Sequence, residues 1–131
     1  MKNIAILLAG LLLTGCTTTF PTKNLTSSQD GQTVSVKLGQ VIAVSLASNR
    51  TTGYGWVERS PAEPVLERDG ESTYAQNASS ARLAGGGGTE TWRFRATKVG
   101  QQTLRLEYVR PWETKVSPVK VVNFQVLVSA K

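Results

Sequence analysis

From Thr33 onward, apolar and polar side chains alternate with a period of two, the spacing that sends successive side chains to opposite faces of an extended strand. Val34, Val36 and Leu38 alternate with Thr33, Ser35 and Lys37, and Ile42, Val44 and Leu46 alternate with Val41, Ala43 and Ser45. Both segments predict strands with one buried face. Gly39-Gln40 between them predicts a bend or a change of sheet rather than a two-residue hairpin of the Asn-Gly type. Further strands are predicted over 54–59, over 65–68 with 72–76, over 90–98 through Trp92, Phe94 and Ala96, over 101–109 through Leu104, Leu106 and Tyr108, and over 119–128 through Val122, Phe124, Val126 and Val128. No segment carries a convincing apolar stripe at helical spacing. Seven or eight short strands separated by turn signals, in roughly 100 residues, predict an all-β fold: an immunoglobulin-like antiparallel β-sandwich. The Cys…Trp…Cys pattern of antibody domains is missing, so only the general architecture is implied.

The amino terminus follows a different pattern. Lys2 precedes the apolar run Ile4-Ala5-Ile6-Leu7-Leu8-Ala9-Gly10-Leu11-Leu12-Leu13, which ends at Thr14-Gly15-Cys16. One positive charge, a short apolar core and small residues before the cut match a secretory signal peptide, and the run is shorter than the roughly 20 residues that span a membrane. Leu13-Thr14-Gly15-Cys16 resembles a bacterial lipobox, which implies cleavage before Cys16 and a diacylglyceryl group on its thiol. The expected organisation is therefore a lipoprotein signal over residues 1–15, a lipidated cysteine and flexible tether over 16–30, and a sandwich domain over 31–131. Residues 17–30 are polar and aperiodic, the composition of a spacer that lets an anchored domain stand off a bilayer. Thr17 stands where aspartate would favour inner-membrane retention, so the expected location is the cell envelope, at the outer membrane facing the periplasm.

Composition then narrows the chemistry. Cys16 is the only cysteine and there is no histidine, so a Ser-His-Asp triad, a Cys-His pair and a typical zinc site are all excluded. An internal disulfide is excluded too, and the domain must be held by its apolar core. Paired carboxylates remain conceivable among Asp69, Glu71, Glu90, Glu107 and Glu113, but none has an acid/base context, and all are expected to be surface charges. No cofactor or metal is expected. Without residues 1–15, the remaining 116 residues carry 14 basic and 9 acidic side chains, a net charge of +5. That length suits one domain, expected to be monomeric. The basic residues are dispersed, with no block of like charges and no aromatic interleaving, which argues against a nucleic-acid partner.

Three stretches break the strand pattern. The first is Asn49-Arg50-Thr51-Thr52-Gly53-Tyr54-Gly55-Trp56, where two glycines beside two aromatics allow a sharp turn and close approach to another surface. A tight turn leading into a strand, with Trp56 in the core, accounts for Gly53 and Trp56 but not for Thr51-Thr52. The second is Leu83-Ala84-Gly85-Gly86-Gly87-Gly88-Thr89, whose default reading is a flexible loop; a phosphate-cradling loop is disfavoured by the missing Lys-Ser/Thr and following helix. The third is Arg110-Pro111-Trp112-Glu113, which reads either as an exposed Trp and Arg of the kind that dominate binding hot spots or as a satellite core contact.

The order and spacing of these motifs resemble the chagasin-type inhibitors of papain-like cysteine proteases, and the resemblance spans nearly the whole domain. That family carries an Asn-Pro-Thr-Thr-Gly-aromatic loop, a Gly-x-Gly-Gly loop and an Arg-Pro-Trp loop at one end of an immunoglobulin-like sandwich. Asn49 and Thr51-Thr52-Gly53-Tyr54 match the first, Gly85-Gly86-Gly87-Gly88 the second, and Arg110-Pro111-Trp112 the third. Arg50 departs from the pattern, standing where the family has proline, and implies a softer loop. The resemblance implies that the Asn49 to Tyr54 loop enters a protease cleft beside the catalytic sulfur, that the glycine loop lies along the substrate side, and that Trp112 packs at the leaving-group side. The competing readings are a structural or adhesive envelope lipoprotein and an inhibitor of another periplasmic enzyme, since a sandwich by itself decides no function.

Overall fold

A computed structural model of the chain describes residues 19–59, 61–78 and 86–130, together with Gly10 and Gly15. The signal-peptide reading, Cys16 and Gly85 fall outside the described residues, apart from those two glycines.

The described residues form nine strands: β1 (Lys23–Leu25), β2 (Thr33–Lys37), β3 (Val41–Ser48), β4 (Gly55–Arg59), β5 (Leu66–Arg68), β6 (Thr73–Gln76), β7 (Gly88–Ala96), β8 (Gly100–Val109) and β9 (Lys120–Ser129). They make two facing sheets, one ordered β1-β3-β7-β5 with β6 also paired to β7, the other ordered β2-β9-β8-β4. Ile42, Val44, Leu46 and Phe94 from the first sheet meet Leu104, Leu106, Phe124 and Val126 from the second, all fully buried, as the period-two pattern requires. Gly39-Gln40 does carry the chain from one sheet to the other. Gly39 takes φ of 88°, and the Gln40 side chain accepts from Lys37 N and donates to the Pro21 carbonyl.

The sandwich departs from the expected one in two respects. Its sheets are mixed: β1 runs parallel to β3 and β2 runs parallel to β9, while the inner pairs are antiparallel. The chain alternates between sheets from β1 to β2 to β3, reversing direction each time, so β1 and β3 return to the same sheet pointing the same way. Alternation within a strand carries no information about this direction. Residues 23–30, assigned from sequence to the tether, are also folded. Lys23, Asn24 and Leu25 pair with Ile42, Ala43 and Val44, and Leu25 is only 2% exposed. A short 3-10 turn, Ser27–Gln29, follows; the Thr26 hydroxyl and Gln29 side chain cap it reciprocally. Asp30 Oδ1 then accepts from Asn123 N at 2.7 Å, closing the segment onto β9. A single buried leucine in a polar run was too little signal to predict this edge strand.

Candidate functional site

Strand register gathers the first and third unusual stretches, and the described residues 86–89 of the second, at one end of the sandwich. Ser48, the last residue of β3, lies opposite Gly88, the first of β7, and Gly88 lies opposite Gln76, the last of β6. In the other sheet Gly55 opens β4 opposite Val109, which closes β8, and Tyr108 faces Lys120, the first residue of β9. The connections 49–54, 77–87 and 110–119 therefore leave from the same edge of both sheets.

The first connection is a tight, self-capped turn. Asn49 is extended (φ −131°), and its Oδ1 accepts from Thr51 N at 3.1 Å and from the Thr51 hydroxyl at 2.6 Å. Arg50–Thr52 forms one turn of 3-10 helix, closed by Thr52 N to Asn49 O and Gly53 N to Arg50 O, both 3.2 Å. The Thr52 hydroxyl donates to Asn49 O at 2.7 Å. The two threonines thus shape the turn while remaining exposed at its surface. Gly53 ends it with φ of 79°, a conformation costly for any residue with a Cβ.

An aromatic stack supports this turn from below. Tyr108 lies between Tyr54 (ring centroids 5.3 Å apart) and Trp56 (5.0 Å), and its hydroxyl accepts from Asn49 N at 2.8 Å. Trp56 is in the core, with Nε1 donating to Ala47 O. Tyr108 escaped the sequence reading because its alternation marked it only as core.

Glu90 is a correction. Expected at the surface, it is 6% exposed and lies beneath the loops, accepting from Trp92 Nε1 at 2.9 Å and from Trp56 N at 3.3 Å. It shares its strand face with Trp92 and Phe94, so the alternation already placed it inward. Of the other carboxylates expected at the surface, Glu71 is exposed and Asp69 and Glu113 partly so, while the Glu107 side chain is only 14% exposed. Asp69 faces Arg93 and Arg95, and Glu113 pairs with Arg110. Glu107 lies between Arg59 (2.9 Å) and Arg105 (3.0 Å), whose hydrogen bonds hold its carboxyl below the ordinary range. Among the described residues no cluster of three or more Asp, Glu or Cys side chains is arranged to hold a metal.

Arg110 fastens the third connection to the first. Its Nε donates to Thr52 O at 3.0 Å, its guanidinium lies 4.4 Å from the Tyr54 ring centroid, and Nη1 pairs with Glu113 at 3.1 Å. The arginine of the motif is therefore a half-buried brace. Trp112 is 66% exposed, which settles the choice between surface and satellite core in favour of the surface. The tip of its ring rests on Gly53, where an added Cβ would collide with the indole. Pro111 is exposed beside it.

In the glycine stretch, Gly86 and Gly87 are half-buried, and Asn77 N donates to Gly87 O at 3.1 Å across the neck of the loop. Gly88 is a second correction. It is buried inside β7, where a Cβ would meet the Ala75 carbonyl and the Tyr74 ring, so it makes room for packing and offers no outward surface. Arg50, exposed on the first loop, lies over the same Tyr74 ring with its Cζ 4.3 Å from the centroid. Tyr74 carried no signal in the sequence beyond a place in a short strand.

Comparison with known proteins gives this arrangement a lineage. The family model for chagasin family peptidase inhibitor I42 matches residues 35–126. Chagasin of Trypanosoma cruzi is 32% identical over 93 residues, covering 67% of this chain and 81% of its own. Amoebiasin-2 of Entamoeba histolytica is 27% identical over 115 residues, covering 86% and 91%. The crystal structure of a cysteine protease inhibitor from Entamoeba histolytica shares the fold, with a TM-score of 0.73 at 24% identity over 82% of this chain and 96% of that one. The match runs from β2 to β9 and takes in the first and third connections and the described part of the second, and on that basis the chain belongs to the chagasin family of peptidase inhibitors.

Proposed function

We propose that this chain is a reversible inhibitor of papain-like cysteine proteases, closing the active-site cleft with one end of the sandwich and catalysing nothing itself. The observation that carries the reading is the preassembled end. Thr51, Thr52 and Trp112 face outward there, while Arg110, Tyr54 and Tyr108 hold the connections together from behind. A papain-like enzyme cleaves when an extended peptide presents its carbonyl in line with the cysteine thiolate. The Arg50–Thr52 turn is curled by its own hydrogen bonds, so it can fill the cleft beside the sulfur without offering an extended scissile bond. Gly86 and Gly87 bring bare backbone to the substrate side, and Trp112 packs on apolar surface at the leaving-group side. Folding supplies most of the ordering before the protease arrives, the condition for tight, slowly dissociating binding.

The amino-terminal reading completes the proposal. Cys16 carries lipid, the chain is anchored at the outer membrane facing the periplasm, and residues before β1 act as the spacer. The test is titration of soluble residues 17–131 against papain. Stoichiometric loss of activity that persists through long incubation, with serine and metalloproteases untouched, is the expected result. Absence of inhibition, or progressive cleavage between Thr51 and Tyr54 with recovery of papain activity, overturns the reading.

A further inference from the structure

Tyr74 belongs to none of the three connections, yet it touches the first of them and the strand residue at which the glycine connection ends. It is half-buried in β6, opposite Glu90 of β7. On one side the Arg50 guanidinium lies over its ring at 4.3 Å. On another, the ring occupies the space left by Gly88: a Cβ there would come within 2.6 Å of Tyr74 Cζ and 2.7 Å of its hydroxyl oxygen. Gly88 is where the glycine connection enters β7, and Arg50 is the first residue of the capped turn.

We propose that Tyr74 is a positioning residue for inhibition: through Arg50 and Gly88 it ties the first connection to the glycine connection and holds the Arg50–Thr52 turn in its binding geometry. The proposal rests on the protease-inhibiting reading of this end. A cation over an aromatic face is attracted by the ring quadrupole, and at a partly exposed site the effect corresponds to a roughly two- to fivefold shift in a local equilibrium. Holding the turn in one arrangement tightens binding by up to that factor, because the competent population is larger, and the gain is smaller the more the turn's own hydrogen bonds already hold it.

The backbone at position 50 offers an independent way to hold the turn. Asn49 before it is extended (φ −131°, ψ 99°), clear of the α region that a following proline disfavours and within about 20° of the ψ range it prefers, and position 50 is the first of a helical turn, where a missing N–H is tolerated. Proline at 50 would fix the backbone without the arginine, and the contact with Tyr74 would then become redundant. This gives Tyr74 a signature that a purely structural residue lacks.

The experiment measures papain inhibition by the full chain carrying Tyr74→Leu, Arg50→Pro, or both. Tyr74→Leu alone is expected to raise the inhibition constant and to speed trypsin cleavage of the Arg50-Thr51 bond by factors whose product is about two- to fivefold, since one reads the loss of the held turn and the other the gain of the released one. In the Arg50→Pro background the same change should leave the inhibition constant where Arg50→Pro put it. An equal loss in both backgrounds, or an unchanged inhibition constant with unchanged trypsin cleavage, overturns the proposal. Should Tyr74→Leu fail to fold, the exposed Arg50→Met variant takes its place, with amide hydrogen exchange at Thr52 and Gly53 as the readout. Faster exchange than in the parent supports the clamp, and identical exchange refutes it. That measurement requires no protease, so a chain that left papain fully active would sink the inhibitory reading while the clamp was still judged on its own.

Discussion

Replacing Trp112 with alanine separates a contact residue from a structural one, because the two roles predict opposite magnitudes. A large aromatic side chain buries up to about 250 Å² when fully enclosed. With 66% of Trp112 exposed, roughly 80 Å² is already covered, mainly against Gly53, and about 160 Å² remains to be buried by a partner. At about 25 cal/mol per Å², the covered part contributes at most about 2 kcal/mol to folding, and the compactness of real unfolded chains lowers that to about 1.2–1.8 kcal/mol. The exposed part corresponds to about 4 kcal/mol on binding before ordering and imperfect packing are subtracted, leaving about 2–4 kcal/mol, or roughly 30- to 1000-fold in dissociation constant. A domain of this size should then lose about 4–10 °C in thermal midpoint. Scanning calorimetry and papain titration of the same Trp112→Ala preparation supply both numbers. A midpoint fall much greater than 10 °C, with the inhibition constant nearly unchanged at lower temperature, would refute the contact role, since a core tryptophan loses about 3–5 kcal/mol of stability on truncation.

Three further outcomes follow from the same geometry. Gly53→Ala meets both a left-handed backbone (φ 79°) and the Trp112 ring; it should cost about 1–2 kcal/mol of stability and weaken inhibition, and the stability loss should shrink in a Trp112→Ala background, measured by urea unfolding of the double-mutant set. Arg59 and Arg105 lower the Glu107 pKa below 4.5, so the ion pair stabilises the fold fully above the ordinary carboxylate range and is lost as pH falls through the lowered value. The midpoint difference between the parent and Glu107→Gln should accordingly be constant near neutrality and close below about pH 4.5, and a pH-independent difference would contradict the assignment. Mass spectrometry of protein extracted from membranes should find the mature chain starting at Cys16 with acyl chains attached; an unmodified thiol or another amino terminus would remove the anchor from the proposal.

The strands that alternation predicted, β2, β3, β7, β8 and β9, are those whose inward faces supply the core, and their ends fall within one or two residues of the expected positions. What escaped prediction has a common cause. Lys23–Leu25 has one apolar residue and owes its strand to partners in β3 nineteen positions away. The parallel pairings depend on how often the chain changes sheets, which no single strand records. Glu90 was misjudged although its position was legible: the pattern put it inward, and the expectation that carboxylates lie outside overrode the pattern, because the two indole and backbone donors that receive it come from Trp92 and the distant Trp56. Tyr74 and Tyr108 matter through partners 24 and 59 positions away, Arg50 and Asn49, and local pattern carries no trace of such pairs.

The motif itself was legible as a string, but the string does not divide its residues by task. Arg110 invites the reading of a free charge ready for a partner, yet three contacts commit it to the first connection and to its own. Asn49 caps, Tyr54 stacks, Gly53 makes room for Trp112 and Gly88 makes room for Tyr74. Within the described motif residues, Thr51, Thr52, Pro111 and Trp112 present exposed surface, although the threonine hydroxyls also shape the turn, Thr52 O receives Arg110 and one edge of the Trp112 ring rests on Gly53, and Arg50 divides its role between surface and brace. A protein that binds by inserting connections needs most of its motif to hold the remainder still, since each residue ordered only on contact subtracts from affinity. Exchanging Arg110 for lysine therefore tests more than a contact. Lysine keeps the charge but loses the planar fork that reaches Thr52 O and Glu113 together, and the resulting loss of inhibition should come through the first connection, with faster amide exchange at Gly53 as its accompaniment.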